Sequence, residues 1–216
     1  MGALELRLIS VNVALPRVAG ERNGEPLLSA FHKQPVTAAT IAVGELGLAG
    51  DGQADRVVHG GPDRAVYVYP TDNWTWWEKE KRFPCAPGVF AENLTVEGAD
   101  ESGIRIGDRF SWGEVLLEVS QPRTPCHKFQ RFSGREDASA LMTLSGRCGW
   151  HFRVLVPGTA PVEAARLIRV EASGGPSVRE VFLAGSNPRL DPGRRQELAG
   201  TPGLSAVWRK KLSGSP

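Results

Sequence analysis

Short apolar runs broken by turn residues organise most of this chain. Leu4–Val13, Thr40–Val43, Ala65–Tyr69, Val115–Val119, His151–Val156 and Ala165–Val170 are strand-like runs bounded by Gly, Pro, Asp or Asn. One helix interrupts them. Thr71 is placed to cap Asp72–Lys81, with acidic and neutral residues early and Lys79, Lys81 and Arg82 late, as the helix dipole favours. Trp74 and Trp77 are three apart and share a face, which suits packing against the strands. After Ser173-Gly174-Gly175-Pro176 the pattern turns helical. Ser177 and Glu180 form a capping box ahead of the apolar Val178, Val181 and Phe182. Asp191 caps a helix that opens on Pro192 and closes at Gly200, and Ser205 caps a third that ends in Arg209, Lys210 and Lys211. Helices this short are marginal alone, so the three must pack on one another or on the strands. The expected fold is mainly β: a closed or nearly closed β-barrel with a few helices over 1–173, then a small three-helix module and frayed tail over 174–216.

Composition sharpens this picture. Glycine (25) and proline (16) together make up about a fifth of the 216 residues, against roughly 12% in average usage. That richness favours turns and short strands over long helices. Hydrophobic residues at 41% and charged residues at 23% exclude a disordered chain. A net charge of +2 gives no molecule-wide basic field. Nucleic acid is therefore not an expected partner, while local cationic pockets remain open. No apolar run approaches the roughly 18 residues of a membrane span, and the N-terminus alternates as a strand rather than running as a signal peptide. The expectation is a cytoplasmic protein with no membrane partner. Cys85, Cys126 and Cys148 cannot build a disulfide framework and none lies in a C-x-x-C pair, which fits free thiols in a reducing compartment.

Two segments could carry chemistry. In Gly47–Arg64, glycines including Gly60 and Gly61 let backbone amides approach a ligand, and Arg56, His59 and Arg64 can face an anion. The same segment also reads as a long surface loop around a structural histidine. Its Asp51–Asp55 portion lacks the carboxylate spacing of a calcium loop. In Gln121–Lys128, Pro122 and Pro125 stiffen the backbone around Cys126, and Arg123, His127 and Lys128 surround the thiol with positive charge. Such surroundings favour thiolate, a nucleophile and a ligand for soft or redox-active metals. Cys85 and Cys148 read as small buried hydrophobes. Neighbours on an extended segment point to opposite faces, so His127 cannot serve Cys126, and His59 is the better partner if the fold brings it near. No Cys or His pair has zinc-finger or zinc-ribbon spacing. Lys33, just before a strand, can reach a phosphate or be solvated, and Asn93 at a strand entrance is a turn residue or a ligand contact.

Taken together, Lys33–Val36, Gly50–Asp55, His59–Ala65, Tyr69-Pro70, Glu92–Thr95, Ile106–Asp108, Gln121–Cys126 and Ser145–Trp150 resemble the MOSC domain family, named for the C-terminal domain of molybdenum cofactor sulfurases. Within it the likeness is to the stand-alone, YiiM-like branch, three-helix tail included. The resemblance implies a MOSC-type β-barrel holding molybdenum cofactor (molybdopterin), with Cys126 as metal ligand; pyridoxal phosphate is not expected. Lys33, Arg56, Arg64, Arg123 and Lys128 are then the candidates for holding the cofactor's phosphate. Gly60, Gly61 and Asn93 would make further cofactor contacts, and His59 and Asp51 would orient the pterin or pass protons to the departing water.

The implied reaction is reduction of N-hydroxylated small molecules, such as hydroxylaminopurines and amidoximes, to amines, a detoxification. Electrons would come from a separate flavin or iron–sulfur reductase, since the chain shows neither ferredoxin cysteine spacing nor G-x-G-x-x-G. A homodimer is compatible with this scheme. The alternative is a carrier of molybdenum cofactor or sulfur, without turnover of its own, that uses the same cysteine. Four positions depart from the family pattern. Ala91 replaces a common glycine, Val58 and Val68 replace frequent histidines, and His127 replaces a frequent aromatic residue. These bear on the substrate pocket rather than on the metal ligand.

Overall fold

The computed structural model describes residues 4–22, 24–53 and 60–214. In chain order the strands are β1 (Glu5–Val13), β2 (Arg17–Arg22), β3 (Glu25–Ser29), β4 (Gln34–Pro35), β5 (Thr40–Gly44), β6 (Gly47–Leu48), β7 (Val66–Pro70), β8 (Leu94–Glu97), β9 (Arg109–Trp112), β10 (Val115–Pro122), β11 (Trp150–Val156), β12 (Gly158–Pro161) and β13 (Arg166–Glu171). Seven of them close a barrel in the order β1, β13, β9, β10, β11, β7, β8 and back to β1. A ring with an odd number of strands cannot alternate direction all the way round, so at least one neighbouring pair must be parallel. Here that pair is β7 and β8.

Parallel neighbours need a long crossover, and residues 71–93 supply it. The crossover carries the helical segment expected over Asp72–Lys81, with a different start. A 3₁₀ turn spans Thr71–Asn73, with Pro70 in the cap position. Thr71 is thus inside the first turn, and its side chain makes no cap bond. The chain then winds in π geometry through Trp76–Glu80. Trp77 is fully buried, with the rings of Phe83 and Phe90 5.4 Å away and that of Phe129 at 6.3 Å. The Trp77 indole N–H also donates to Tyr69 Oη, so this tryptophan packs the crossover onto β7 of the barrel.

Two helices not anticipated above follow β10: α1 (His127–Ser133) and α2 (Ala138–Ser145). Neither has a side-chain cap bond: Cys126, before α1, is not a capping residue type, and Asp137, before α2, is one but makes no cap bond. Three more close the fold: α3 (Val178–Ser186), α4 (Pro192–Ala199) and α5 (Ala206–Ser213). Their expected caps form. Ser177 accepts from the Glu180 N–H, Asp191 from the Arg194 N–H and Ser205 from the Trp208 N–H. Backbone bonds tie the helices to the barrel region, from Val178 N–H to Ile104 O and from Ser205 N–H to Ser120 O, both 2.9 Å. Trp208 is buried against α3, where a Cβ on Gly185 would lie 2.5 Å from its ring. Only glycine admits the indole there.

Candidate active site

The alternation of β7 and β11 builds the floor of the site. Val66 and Val68 pair with Phe152 and Trp150 on one buried face, and Tyr67 pairs with His151 on the other. In an unbroken β10, Val119 and Gln121 would share a face. A bulge at Ser120 prevents this: Val119 pairs with Phe152, whereas Gln121 pairs with His151. Gln121 therefore joins His151 and Tyr67. Across the parallel pair, the Tyr67 N–H donates to Asn93 Oδ1 at 3.0 Å and the Asn93 N–H donates to Tyr67 O at 2.8 Å. The row Gln121, His151, Tyr67 and Asn93 lines a cavity of about 520 Å³, a usual size for a small-molecule site.

Cys126 opens onto this cavity. Its backbone is extended (φ −129°, ψ 166°) immediately before α1, and the residue is half-buried. The other two thiols are held elsewhere. Cys148 is fully buried, burial pushes its thiol well up, and its Sγ donates to Gly149 O. Burial, with Glu78 and Glu92 adding, pushes the Cys85 thiol up to about 12, and its Sγ donates to Phe83 O.

Among the described residues, the lining carries Lys33, Arg64, Arg123, Lys128 and Lys211 against a single carboxylate, Asp51. Lys33 Nζ donates to Asp51 Oδ1, which also accepts from the Ala14 N–H at 2.9 Å. Asn93 Nδ2 donates to Asp51 Oδ2 at 2.8 Å. Burial lowers the Lys33 ammonium below the usual lysine range, with Asp51 opposing the shift. Arg123 is 7% exposed. Its guanidinium lies 5.4 Å over the Tyr67 ring and 5.0 Å over that of Phe129, and Nη1 donates to Met142 Sδ at 3.0 Å. Among the described residues no carboxylate pairs with it. A buried guanidinium so placed is suited to an anion. Lys128 Nζ donates to Leu28 O at 3.0 Å. Val207 and Lys211 of α5 form part of the wall, so the C-terminal helices contribute to the cavity.

Of the sequence-derived candidates, the structure gathers Lys33, Asp51, Arg64, Asn93, Arg123, Cys126 and Lys128 around one cavity. Gly60 and Gly61 do not line it, and the Gly61 N–H is taken by Gln53 Oε1 at 3.1 Å. Arg56, His59 and Val58 lie outside the described residues. Val68 faces away, toward Trp150, whereas Ala91 lines the cavity with φ 64°.

The sequence reads His151 only as the start of a strand and Gln121 only as part of a motif, neither as a site residue. Gln121 Oε1 and His151 Nδ1 are both buried without a hydrogen-bond partner. Each such atom costs about 1–3 kcal/mol unless a ligand or water satisfies it. Burial, with Arg64 and Arg123 adding, pushes the imidazole down to about 3, so it is neutral at ordinary pH. The signal available in sequence was Trp150-His151-Phe152, which reads as a strand with its histidine facing solvent. Residues around α1 convert that position into a cavity floor.

Residues 55–172 match the MOSC domain. Protein YiiM of Escherichia coli (strain K12) is 36% identical over 215 residues, spanning 94% of this chain and 93% of that protein. A protein of Gibberella moniliformis (strain M3125 / FGSC 7600) named a reductase is 33% identical over 156 residues, which cover 69% of this chain and 27% of that protein. The crystal structure of YiiM from Geobacillus stearothermophilus superposes with a TM-score of 0.80 at 28% identity, covering 97% of this chain and 98% of that one. The chain belongs to the MOSC domain family, whose members are associated with molybdenum cofactor, and it has the family's β-barrel. No helix among the described residues is long and apolar enough to cross a membrane.

Proposed function

We propose that this protein is a molybdenum cofactor-dependent reductase that converts N-hydroxylated small molecules to amines. The observation that carries the reading is the half-buried Cys126 on a cavity whose lining, among the described residues, holds five cationic side chains and one carboxylate. The residues present fit the group. A thiolate is a suitable ligand for a redox-active metal. Cations beside it suit a phosphate. The unpartnered Gln121 Oε1 and His151 Nδ1 can bond to a polar ring system.

In this proposal Cys126 Sγ would ligate the metal, and Arg64, Arg123 and Lys128 would hold the phosphate. Arg56 and His59 keep the roles that their motif implies. Conversion of an N-hydroxyl group to N–H and water consumes two electrons and two protons. The bound cofactor supplies the redox centre, with electrons delivered by a separate flavin or iron–sulfur reductase. The chain's part is to position and to hold protons. Asn93 fixes the Asp51 carboxylate, and Asp51 in turn holds a proton on Lys33 Nζ beside the cavity. Arg123, already desolvated between two rings, binds an anion without reorganising.

The test is turnover of a hydroxylaminopurine by protein purified from cofactor-replete cells, with an artificial electron donor and chromatographic detection of the amine. Amine formation proportional to molybdenum content is expected. Stoichiometric molybdenum with no amine would replace this reading with that of a carrier.

A further inference from the structure

Two neighbouring polar side chains on the cavity floor each carry a buried atom that nothing in the fold satisfies. Gln121 is 1% exposed, and its Oε1 has no hydrogen-bond partner. His151, its cross-strand partner, presents a buried Nδ1 in the same condition. The Tyr67 ring lies 5.1 Å from the imidazole, inclined by 33°, and all three residues line the cavity. The tyrosine hydroxyl is already bonded to Cys148 O at 3.0 Å, so it leaves the pair unsatisfied. Ser120 reaches only the backbone oxygens of Asp63 and His151. A carboxamide oxygen accepts, and a neutral imidazole offers one N–H and one lone pair. With the imidazole proton on Nδ1, these atoms, on adjacent strands, complement a flat edge that presents a donor next to an acceptor. An aromatic ring beside them favours a planar ligand.

We infer that Gln121 and His151 form a recognition pair for the donor–acceptor edge of a planar nitrogen heterocycle, with His151 acting as a positioning residue. This deepens the proposed function by giving the cavity a ligand class, and it rests on that reading only for the identity of the occupant. The heterocycle can be the pterin of the cofactor or the ring of the substrate; the chemistry recognised is the same. Burial and the neighbouring arginines keep the imidazole uncharged, so its part is hydrogen bonding rather than proton transfer.

The test compares the wild type with H151L, H151N and Q121L, all purified from the same cofactor-replete cells. Two quantities are read: the pterin released on denaturation per chain, and the calorimetric affinity for adenine. Asparagine places a polar atom near the position of Nδ1, so H151N should stay within about threefold of the wild type. Loss of one hydrogen bond corresponds to a fall of about tenfold in H151L and Q121L. A fall in pterin content assigns the pair to the cofactor. A fall in adenine affinity with pterin retained assigns it to the substrate. Wild-type values of both in H151L and Q121L overturn the inference, as does a folded wild type that holds neither ligand. If H151L fails to fold, H151N and Q121L still decide. Neither readout needs turnover, so a chain that binds adenine through His151 yet reduces nothing would defeat the proposed function and leave this inference standing.

Discussion

Lys33 and Asp51 form an ion pair at the cavity edge with side chains only 7% and 10% exposed, and Asn93 bridges the pair to the β7–β8 junction. Breaking such a pair from one side leaves a buried charge without its partner. Asp51→Asn should therefore lower stability by about 3–5 kcal/mol in urea unfolding. Replacing both partners by apolar residues, K33M with D51L, should cost less than D51N alone. A D51N protein as stable as the wild type would show that the pair is solvated in solution.

Ala91 holds φ 64°, a conformation that costs a side-chain-bearing residue about 1–2 kcal/mol. Its N–H bonds to Gly88 O at 2.9 Å, so the turn is fixed rather than free to relax. Ala91→Gly should relieve the strain and, after the entropy that glycine adds to the unfolded chain, stabilise by about 0.5–1 kcal/mol. A rise in the urea midpoint with an unchanged slope is the expected result. A fall would mean that the Ala91 methyl contributes packing that outweighs the strain.

Burial pushes the fully buried Glu92 carboxyl up to about 7, against hydrogen bonds from Thr95 Oγ1 and from the Gly88 and Phe90 N–H groups. Between its ordinary value of 4.5 and about 7, the folded chain keeps a proton that the unfolded chain has lost. Stability from this group is thus greatest at low pH and declines as pH rises through that window. Relative to E92Q, the wild type should lose about 2–3 kcal/mol between pH 5 and pH 8. Urea titrations of both proteins at the two pH values check this, and parallel curves would contradict it.

Thiol labelling should separate the three cysteines. Cys148 is sealed in the core and the Cys85 thiol is pushed up to about 12, so both should resist iodoacetamide at pH 8 in the native protein. Cys126 faces the cavity and should be alkylated first in cofactor-free protein. Peptide mapping after brief labelling reads the order. Labelling of Cys85 ahead of Cys126 would contradict the arrangement.

Much of the fold was legible wherever the signal is local. The caps at Ser177, Asp191 and Ser205 each act within three residues, and all three formed where the sequence placed them. The long alternating runs became β1, β7, β10, β11 and β13, with ends shifted by a few residues at most. Features set by distant partners were not legible. The parallel crossover follows from closing a ring of seven, the Ser120 bulge is visible only against β11, and α1 and α2 start without a side-chain cap bond. The site divided in the same way. Cys126 and its basic neighbours stand together in sequence, whereas His151 becomes a cavity residue only once three strands and α1 surround it.

The metal content of Cys126→Ser tests the account most directly. Wild type and variant, expressed side by side in cofactor-replete cells and purified under identical conditions, are compared for molybdenum per chain by elemental analysis. The account predicts near-stoichiometric metal in the wild type and a loss of at least most of it in a variant that still melts cooperatively. A folded C126S protein that retains the wild-type molybdenum content would contradict the claim that this sulfur holds the metal.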